Sequence, residues 1–183
     1  MVGLIRRSFS YMDRKSFNLL YKSRVRPVLE YANTIWCPRF SKDSEAIENV
    51  QRRATKMVPG LGHLSYHERL QKLRLPSLIF RRARGDMIET FKYLKGFYQV
   101  DLPWLRLDAS NHTRGHSLKL SKKRSRLELR KHCFSNRVVN KWNSLPEEVV
   151  SSDTLNMFKN RLDKHWSGKL YTTESWGTDQ NTV

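Results

Sequence analysis

Asp43-Ser-Glu-Ala-Ile-Glu-Asn-Val-Gln-Arg-Arg-Ala-Thr-Lys-Met-Val58 is the stretch whose reading decides the fold. Ile47, Val50, Ala54 and Met57 recur at three- and four-residue intervals, the period of an amphipathic helix. Glu45, Glu48, Arg52, Arg53 and Lys56 are expected on the opposite, solvated face. Pro59-Gly60 supplies the stop, because proline cannot continue the ladder and glycine closes a helix end without strain.

The same period extends on both sides. Upstream, Asp13 is a candidate cap for a helix over 14–36 with Phe17, Leu20, Tyr21 and Val25 on one face, kinked or broken at Pro27 and continued by Leu29, Ala32 and Trp36. Downstream, Ser65 and Glu68 have the spacing of a capping box ahead of Leu70 and Leu73 in a short helix that ends near Pro76. Residues 77–95 place Ala83, Met87, Ile88, Phe91 and Leu94 on one side, with Arg81, Arg82 and Arg84 near the start and Gly96 as the stop. Later helices are expected from Phe134, with Val138, Val139 and Trp142 inward until the turn Asn143-Ser-Leu-Pro146, and over 154–166, with Leu155, Phe158, Leu162 and Trp166 inward.

Between these blocks the period changes. Residues 97–115 contain Pro103 and an aromatic anchor, Trp104, beside Leu102 and Leu105, and read as a loop. His116–Leu120 and Arg126–Arg130 alternate apolar with polar residues, which predicts a short hairpin with Ser121–Ser125 as its basic tip. The expected fold is therefore mainly α: a helical bundle over 1–96, a linker loop over 97–115, a basic β-hairpin plus two helices over 116–166, and a frayed tail over 167–183.

Charge defines the partner class. The 183 residues include 35 Lys+Arg against 17 Asp+Glu, a net +18 and a pI near 10.3, which selects polyanions. A hydrophobic fraction of 38% with 11% aromatics supplies a packed core, unlike a disordered basic tail. No run reaches the roughly 18 apolar residues of a membrane span, and the start is too short in apolar residues for a secretory signal, so an intracellular protein of nucleus or cytoplasm, not secreted and without membrane partners, is expected. Cys37 and Cys133 lie far apart, suit a reducing compartment, and read as buried small apolar residues.

Several catalytic chemistries find no complete residue set. Polymerase-type two-metal catalysis needs carboxylates gathered around divalent cations, and no adjacent acidic pair of the Asp-Asp type occurs. In Tyr11-Met-Asp-Arg14, arginine stands where a Tyr-x-Asp-Asp box needs its second carboxylate, so Asp13 reads as a cap. His112, His116, His132 and Cys133 are four possible zinc ligands at loose spacing, without the close Cys pair of structural sites; solvent-facing or phosphate-contacting histidines are the alternative. His67-Glu68 does not complete His-Glu-x-x-His, since Gln71 replaces the second histidine.

The densest positive signal is 114–131, where Arg114, Lys119, Lys122, Lys123, Arg124, Arg126, Arg130 and Lys131 face one acid, Glu128. Aligned on one surface, such cations bind phosphates with steep salt dependence and weak sequence preference. Arg52, Arg53 and Lys56 form a smaller cluster, which either follows a phosphate backbone or pairs with Glu45 and Glu48 one turn away. Trp36, Phe91, Phe134, Trp142, Phe158 and Trp166 fall on apolar faces and read as core.

Ordered motifs then point to a family. Leu20-Tyr-Lys-Ser-Arg-Val-Arg-Pro-Val-Leu-Glu-Tyr-Ala32, Trp36 and Ile47-Glu-Asn-Val-Gln-Arg-Arg-Ala-Thr-Lys56 are followed by Leu64-Ser-Tyr-His-Glu-Arg-Leu70, Arg82-Ala-Arg-Gly-Asp-Met87, Thr113-Arg-Gly-His116, Arg137-Val-Val-Asn-Lys-Trp-Asn-Ser-Leu-Pro146 and Phe158-Lys-Asn-Arg-Leu-Asp163. Over roughly residues 3–166 the chain resembles the region after the catalytic palm in reverse transcriptases of non-LTR retrotransposons (LINEs) of the Jockey type. The resemblance implies a helical thumb and C-terminal region that holds RNA template, RNA–DNA hybrid or target DNA against a palm lying upstream. It also implies no cofactor for this segment, Mg2+ belonging to the palm, and apolar surface on helices 14–58 meant for that domain. The expected function is noncatalytic nucleic-acid binding by a fragment; the alternatives are a share in RNA-directed DNA polymerisation when joined to a palm, and a partner-binding helical module.

Overall fold

Side-chain caps set where four of the helices begin. The computed structural model describes residues 2–9, 11–99, 105–108 and 115–173. The helices among them are α1 (Val2–Ser8), α2 (Arg14–Leu20), α3 (Arg26–Leu29), α4 (Ser41–Thr55), α5 (Tyr66–Leu73), α6 (Leu78–Leu94), α7 (Glu128–Lys131), α8 (Phe134–Asn143), α9 (Glu147–Val150) and α10 (Leu155–His165). Asp13 caps α2 by accepting from the Lys15 and Ser16 amides, both at 3.2 Å. The Ser65/Glu68 box forms at α5: Ser65 N–H donates to Glu68 at 2.8 Å and Glu68 N–H donates to Ser65 Oγ at 3.3 Å. At the far end of α6, Gly96 takes φ +72, Phe97 N–H reaches Lys92 O and Gly96 N–H reaches Tyr93 O, the paired bonds that satisfy a helix's last carbonyls.

These caps carry a pH signature. Hydrogen bonds from Ser16 hold the Asp13 carboxyl below its ordinary value, and those from Ser65 do the same for Glu68. A carboxyl with a folded pKa below its unfolded one stabilises the fold fully above the unfolded value, and that contribution is lost as pH falls through the folded one. Urea midpoints are therefore expected to fall below about pH 4, the unfolded carboxylate range. The combined variant Asp13→Asn, Glu68→Gln should flatten that fall; an unchanged pH profile would show that the caps do not cause it.

The described residues divide into two units, 2–82 joined by 169–173, and 83–168. In the first, the helix expected over 14–36 ends at Leu29. Tyr21–Val25 forms a π-helical turn in which Arg26 N–H donates to Tyr21 O. Pro27, which has no N–H to offer Ser23 O, sits two residues beyond, and the wider turn carries the chain through it into α3 instead of breaking there. After Leu29 the chain turns through Ala32, at φ 50, and Ile35 and Trp36 both donate to Ala32 O. Trp36 does not continue the apolar stripe; it is 75% exposed.

α4 is present, but its buried face is not the expected one. Glu48, Gln51, Ala54, Thr55 and Val58 are buried, whereas Ile47, Val50 and Met57 are half-buried. At 100° per residue this is a rotation of roughly a quarter turn. Polar partners cause it: Tyr21 Oη donates to Gln51 Oε1 at 2.5 Å, Gln51 Nε2 donates to Tyr66 Oη at 3.0 Å and to Pro76 O at 3.1 Å, and Tyr66 Oη donates to Glu48 at 2.5 Å. Glu48 also accepts from the Leu78 and Ile79 amides at 3.0 and 3.3 Å, while Ser77 Oγ accepts from Phe80 N–H and Ser77 N–H donates to Leu170 O, both at 3.1 Å. All four free amides at the start of α6 are thereby satisfied. Burial, with Glu48 beside them, pushes both tyrosine phenols well above their ordinary range. Around this network pack Phe17, Val25, Leu61, Leu70, Leu73 and Leu75. Residues expected to fray therefore rejoin here, Leu170 through its carbonyl and Tyr171 through a ring that meets His67 edge-on.

In the second unit, Met87, Phe91, Val138, Val139, Trp142, Phe158 and Leu162 form the core, with Phe91 and Phe158 stacked at 4.3 Å. Two ion pairs brace it, Arg84 with Asp163 and Arg137 with Asp86. The expected hairpin does not form among the described residues. Leu120 instead makes an isolated antiparallel bridge with Leu107, flanked by Asp108 N–H to Lys119 O and Ser121 N–H to Arg106 O, both at 2.8 Å. The second half of the expected hairpin, 126–130, turns into α7 and leaves Leu127 and Leu129 exposed. α8 is the reason: Trp142 Nε1 donates to Leu118 O at 2.7 Å, His116 Nε2 bonds Trp142 O at 3.0 Å, and the Asn143 amide clamps both backbone groups of Leu120 at 2.8 and 2.9 Å. The strand-like segment is thus held by a helix and a distant neighbour, with nothing left to pair 126–130.

Cys37 is half-buried and Cys133 exposed, which corrects the expectation that both are core. Phe134 is half-buried under Arg137, whose guanidinium carbon lies 5.4 Å from the ring centre. Leu102, Pro103, Trp104, His112, Arg114 and the tail from 174 lie outside the described residues. No helix among the described residues is long and apolar enough to cross a membrane.

Candidate nucleic-acid interface

The basic loop is built outward from α8. Asn143, at the helix end, holds Leu120; Asn136, two turns earlier, donates through Nδ2 to Arg130 O at 2.8 Å. Seven residues of helix span about 10 Å, so both ends of 120–130 are pinned that far apart along one helix. Ten residues of chain are much longer than the gap and must arch away from it, which is the geometry of a compact surface loop with close ends.

Lys122, Lys123, Arg124, Arg126, Arg130 and Lys131 are all exposed on or beside this arch. Lys123, Arg124, Arg126 and Arg130 meet no carboxylate among the described residues, while Lys131 pairs with Glu128. Lys119 is half-buried and lies back along Gly115, where a β-carbon would sit 2.5 Å from Lys119 Cε. Gly115 also takes φ +130, a backbone conformation that favours glycine whatever the lysine does. Of the eight cations in the sequence cluster, Lys123, Arg124, Arg126 and Arg130 therefore project toward solvent at the loop, and Lys119, Lys122 and Lys131 are engaged at least in part. Arg114 lies outside the described residues.

The cluster on α4 divides. Arg52 is half-buried with its guanidinium 4.8 Å over the Tyr66 ring, a packing role, while Arg53 and Lys56 are exposed. No ion pair to Glu45 or Glu48 forms among the described residues, and Glu48 is committed to α6.

Seven carboxylates are spent on the protein's own structure. Asp13, Glu48 and Glu68 cap helices; Glu30 binds Arg81, whose guanidinium charge it stabilises; Asp86 and Asp163 hold half-buried arginines; Glu147 accepts from Ser117. The positive excess is consequently concentrated at the surface, where phosphates could reach it. Sequence spacing could not reveal this, because most partners lie thirty or more residues apart.

No family model, curated protein or solved structure matches this chain. The family likeness therefore rests on the motifs, and the function on the site. Among the described residues no three His, Cys, Asp or Glu side chains gather as for a metal ion; His116 is buried against Trp142, apart from His132 and Cys133. A cavity of about 10 Å³ lined by Phe17, Leu20, Tyr21 and Ala54 has room for at most a water, not a small-molecule substrate.

Proposed function

We propose that the chain is a nucleic-acid-binding module, working as the post-palm, thumb-side part of a non-LTR reverse transcriptase, with loop 121–131 gripping the phosphates of an RNA template, RNA–DNA hybrid or target DNA. Polymerisation and its Mg2+ would belong to a palm joined to it. The observation that carries the reading is the arch itself: a run of cations held clear of the core at both ends by asparagines of α8, with Lys123, Arg124, Arg126 and Arg130 meeting no carboxylate among the described residues. Phosphate-directed cations of this kind set affinity rather than sequence choice, so hybrid and duplex should bind alike.

Lys122→Glu, Lys123→Glu and Arg124→Glu together are expected to lower duplex affinity at low salt by roughly 100-fold and to make the log–log salt slope shallower by about 3, nearly one for each phosphate no longer neutralised. Fluorescence anisotropy across a salt series reads both. All three side chains are exposed, so the thermal melt should move by no more than a few degrees. Wild-type protein that fails to bind at low salt, or a triple variant that binds as well as wild type, would overturn the proposal.

A further inference from the structure

The aromatic residues of the second unit's core are buried, but Tyr31, Trp36 and Phe40 in the first unit are not: they are 78%, 75% and 58% exposed. The turn at Ala32, whose carbonyl accepts from both Ile35 and Trp36, keeps Tyr31 and Trp36 within one tight bend. Phe40 follows four residues later, at the start of α4, with the Arg39 guanidinium 4.8 Å over its ring. Across 31–42 the charged residues are Arg39 and Lys42, with no acid.

We propose that Tyr31, Trp36 and the Arg39–Phe40 pair form a stacking platform for the bases of single-stranded nucleic acid. This rests on the nucleic-acid-binding reading and adds a mode to it: the loop at 121–131 reads phosphates, which duplex and single strand share, whereas the platform reads base faces, which only an unpaired strand exposes. The fit is chemical on both counts. Aromatic rings and a planar guanidinium offer flat surfaces that any base can cover, and the local charge is positive, as a strand of phosphates requires. Ile35, also exposed, extends the apolar surface beside them. An apolar patch for another protein, the palm expected to cover 14–58 included, is the competing occupant; Arg39 and Lys42, with the flanking Glu30 paired to Arg81 and Asp43 the acid next to Phe40, favour the polyanion.

The test compares an unstructured oligothymidylate with a duplex of equal length, by fluorescence anisotropy on the full chain. Tyr31→Ala with Trp36→Ala is expected to weaken oligothymidylate binding at least tenfold and to leave duplex binding within about twofold, since base stacking contributes only to the former. Trp36→Phe should retain most of the single-strand affinity. The 122/123/124 charge-reversal variant should lose affinity for both ligands, so failure of the platform and failure of the broader reading are separable. Unchanged oligothymidylate affinity in the double-alanine variant, or equal losses on both ligands, would overturn the platform. So would a variant whose only change, by light scattering, is the loss of self-association, which would make the face a protein-docking surface. Wild-type protein that binds neither ligand would overturn platform and reading together.

Discussion

Glu48→Ala should destabilise the first unit by about 3 kcal/mol, the scale for removing a buried charged acceptor and stranding its donors. The residue is 1% exposed and serves three groups at once: the Leu78 and Ile79 amides and the Tyr66 hydroxyl. Alanine leaves all three without a partner in a dry site, and Gln51, which donates to Tyr66, is then tied to a hydroxyl with nowhere to place its own proton. It also removes a negative charge from the positive end of the α6 dipole. Glu48→Gln keeps an acceptor oxygen but no charge, and should cost about 1 kcal/mol by the same reasoning. Urea denaturation followed by circular dichroism gives both values, and amide exchange at Leu78 and Ile79 should speed up in the alanine variant before the rest of α6. A loss no larger than that from Glu45→Ala, on the exposed side of the same helix, would show that the network does not hold the unit together.

Glu48 also marks how far local pattern carries. Helices α2, α4, α5, α6, α8 and α10, the Asp13 cap, the Ser65/Glu68 box and the Gly96 stop are legible because each depends on residues within one turn, where backbone donors and their acceptors are neighbours in sequence. The rotation of α4 is not, because apolar periodicity assigns glutamate outward, and only Tyr66, Pro76 and the start of α6 turn it inward. The 116–130 segment is misread for a related reason. Alternation there is real, and Leu120 is buried on one side as a strand would be, but its pairing partner is Leu107 and its clamp is Asn143, neither of which a hairpin reading considers. Trp36 shows the converse: spacing put it on an apolar stripe, yet the break after Leu29 ends the helix that would have carried it inward. At the candidate interface, the basic run is visible in sequence, but which cations remain available depends on where the carboxylates went.

Trp142→Ala should be the most damaging single change in the second unit, at roughly 3–5 kcal/mol for truncating a fully buried tryptophan. The ring lies 6.0 Å from Phe158 and meets His116 edge-on at 5.9 Å, so its removal opens a cavity between α8 and α10 and loosens the residues that precede the basic loop. It also strands Leu118 O, the acceptor of the indole N–H. Trp142→Phe keeps much of the volume but not that donor, and should fall between the two. The second consequence separates packing from function. Because 116–120 is the upstream anchor of the arch, weakening it should let trypsin cut at Lys122–Arg126 faster than it cuts Arg53 or Lys56, even where the variant is still mostly folded. Asn143→Ala releases the same anchor at Leu120 without opening the core, and is expected to give the same shift in cleavage with a smaller loss of stability. Since neither substitution touches a charge, a loss of nucleic-acid affinity in Asn143→Ala, with the salt slope unchanged, would mean that α8 holds the cations in a shape the phosphates need. Full affinity with a freed loop would mean that charge density alone is enough.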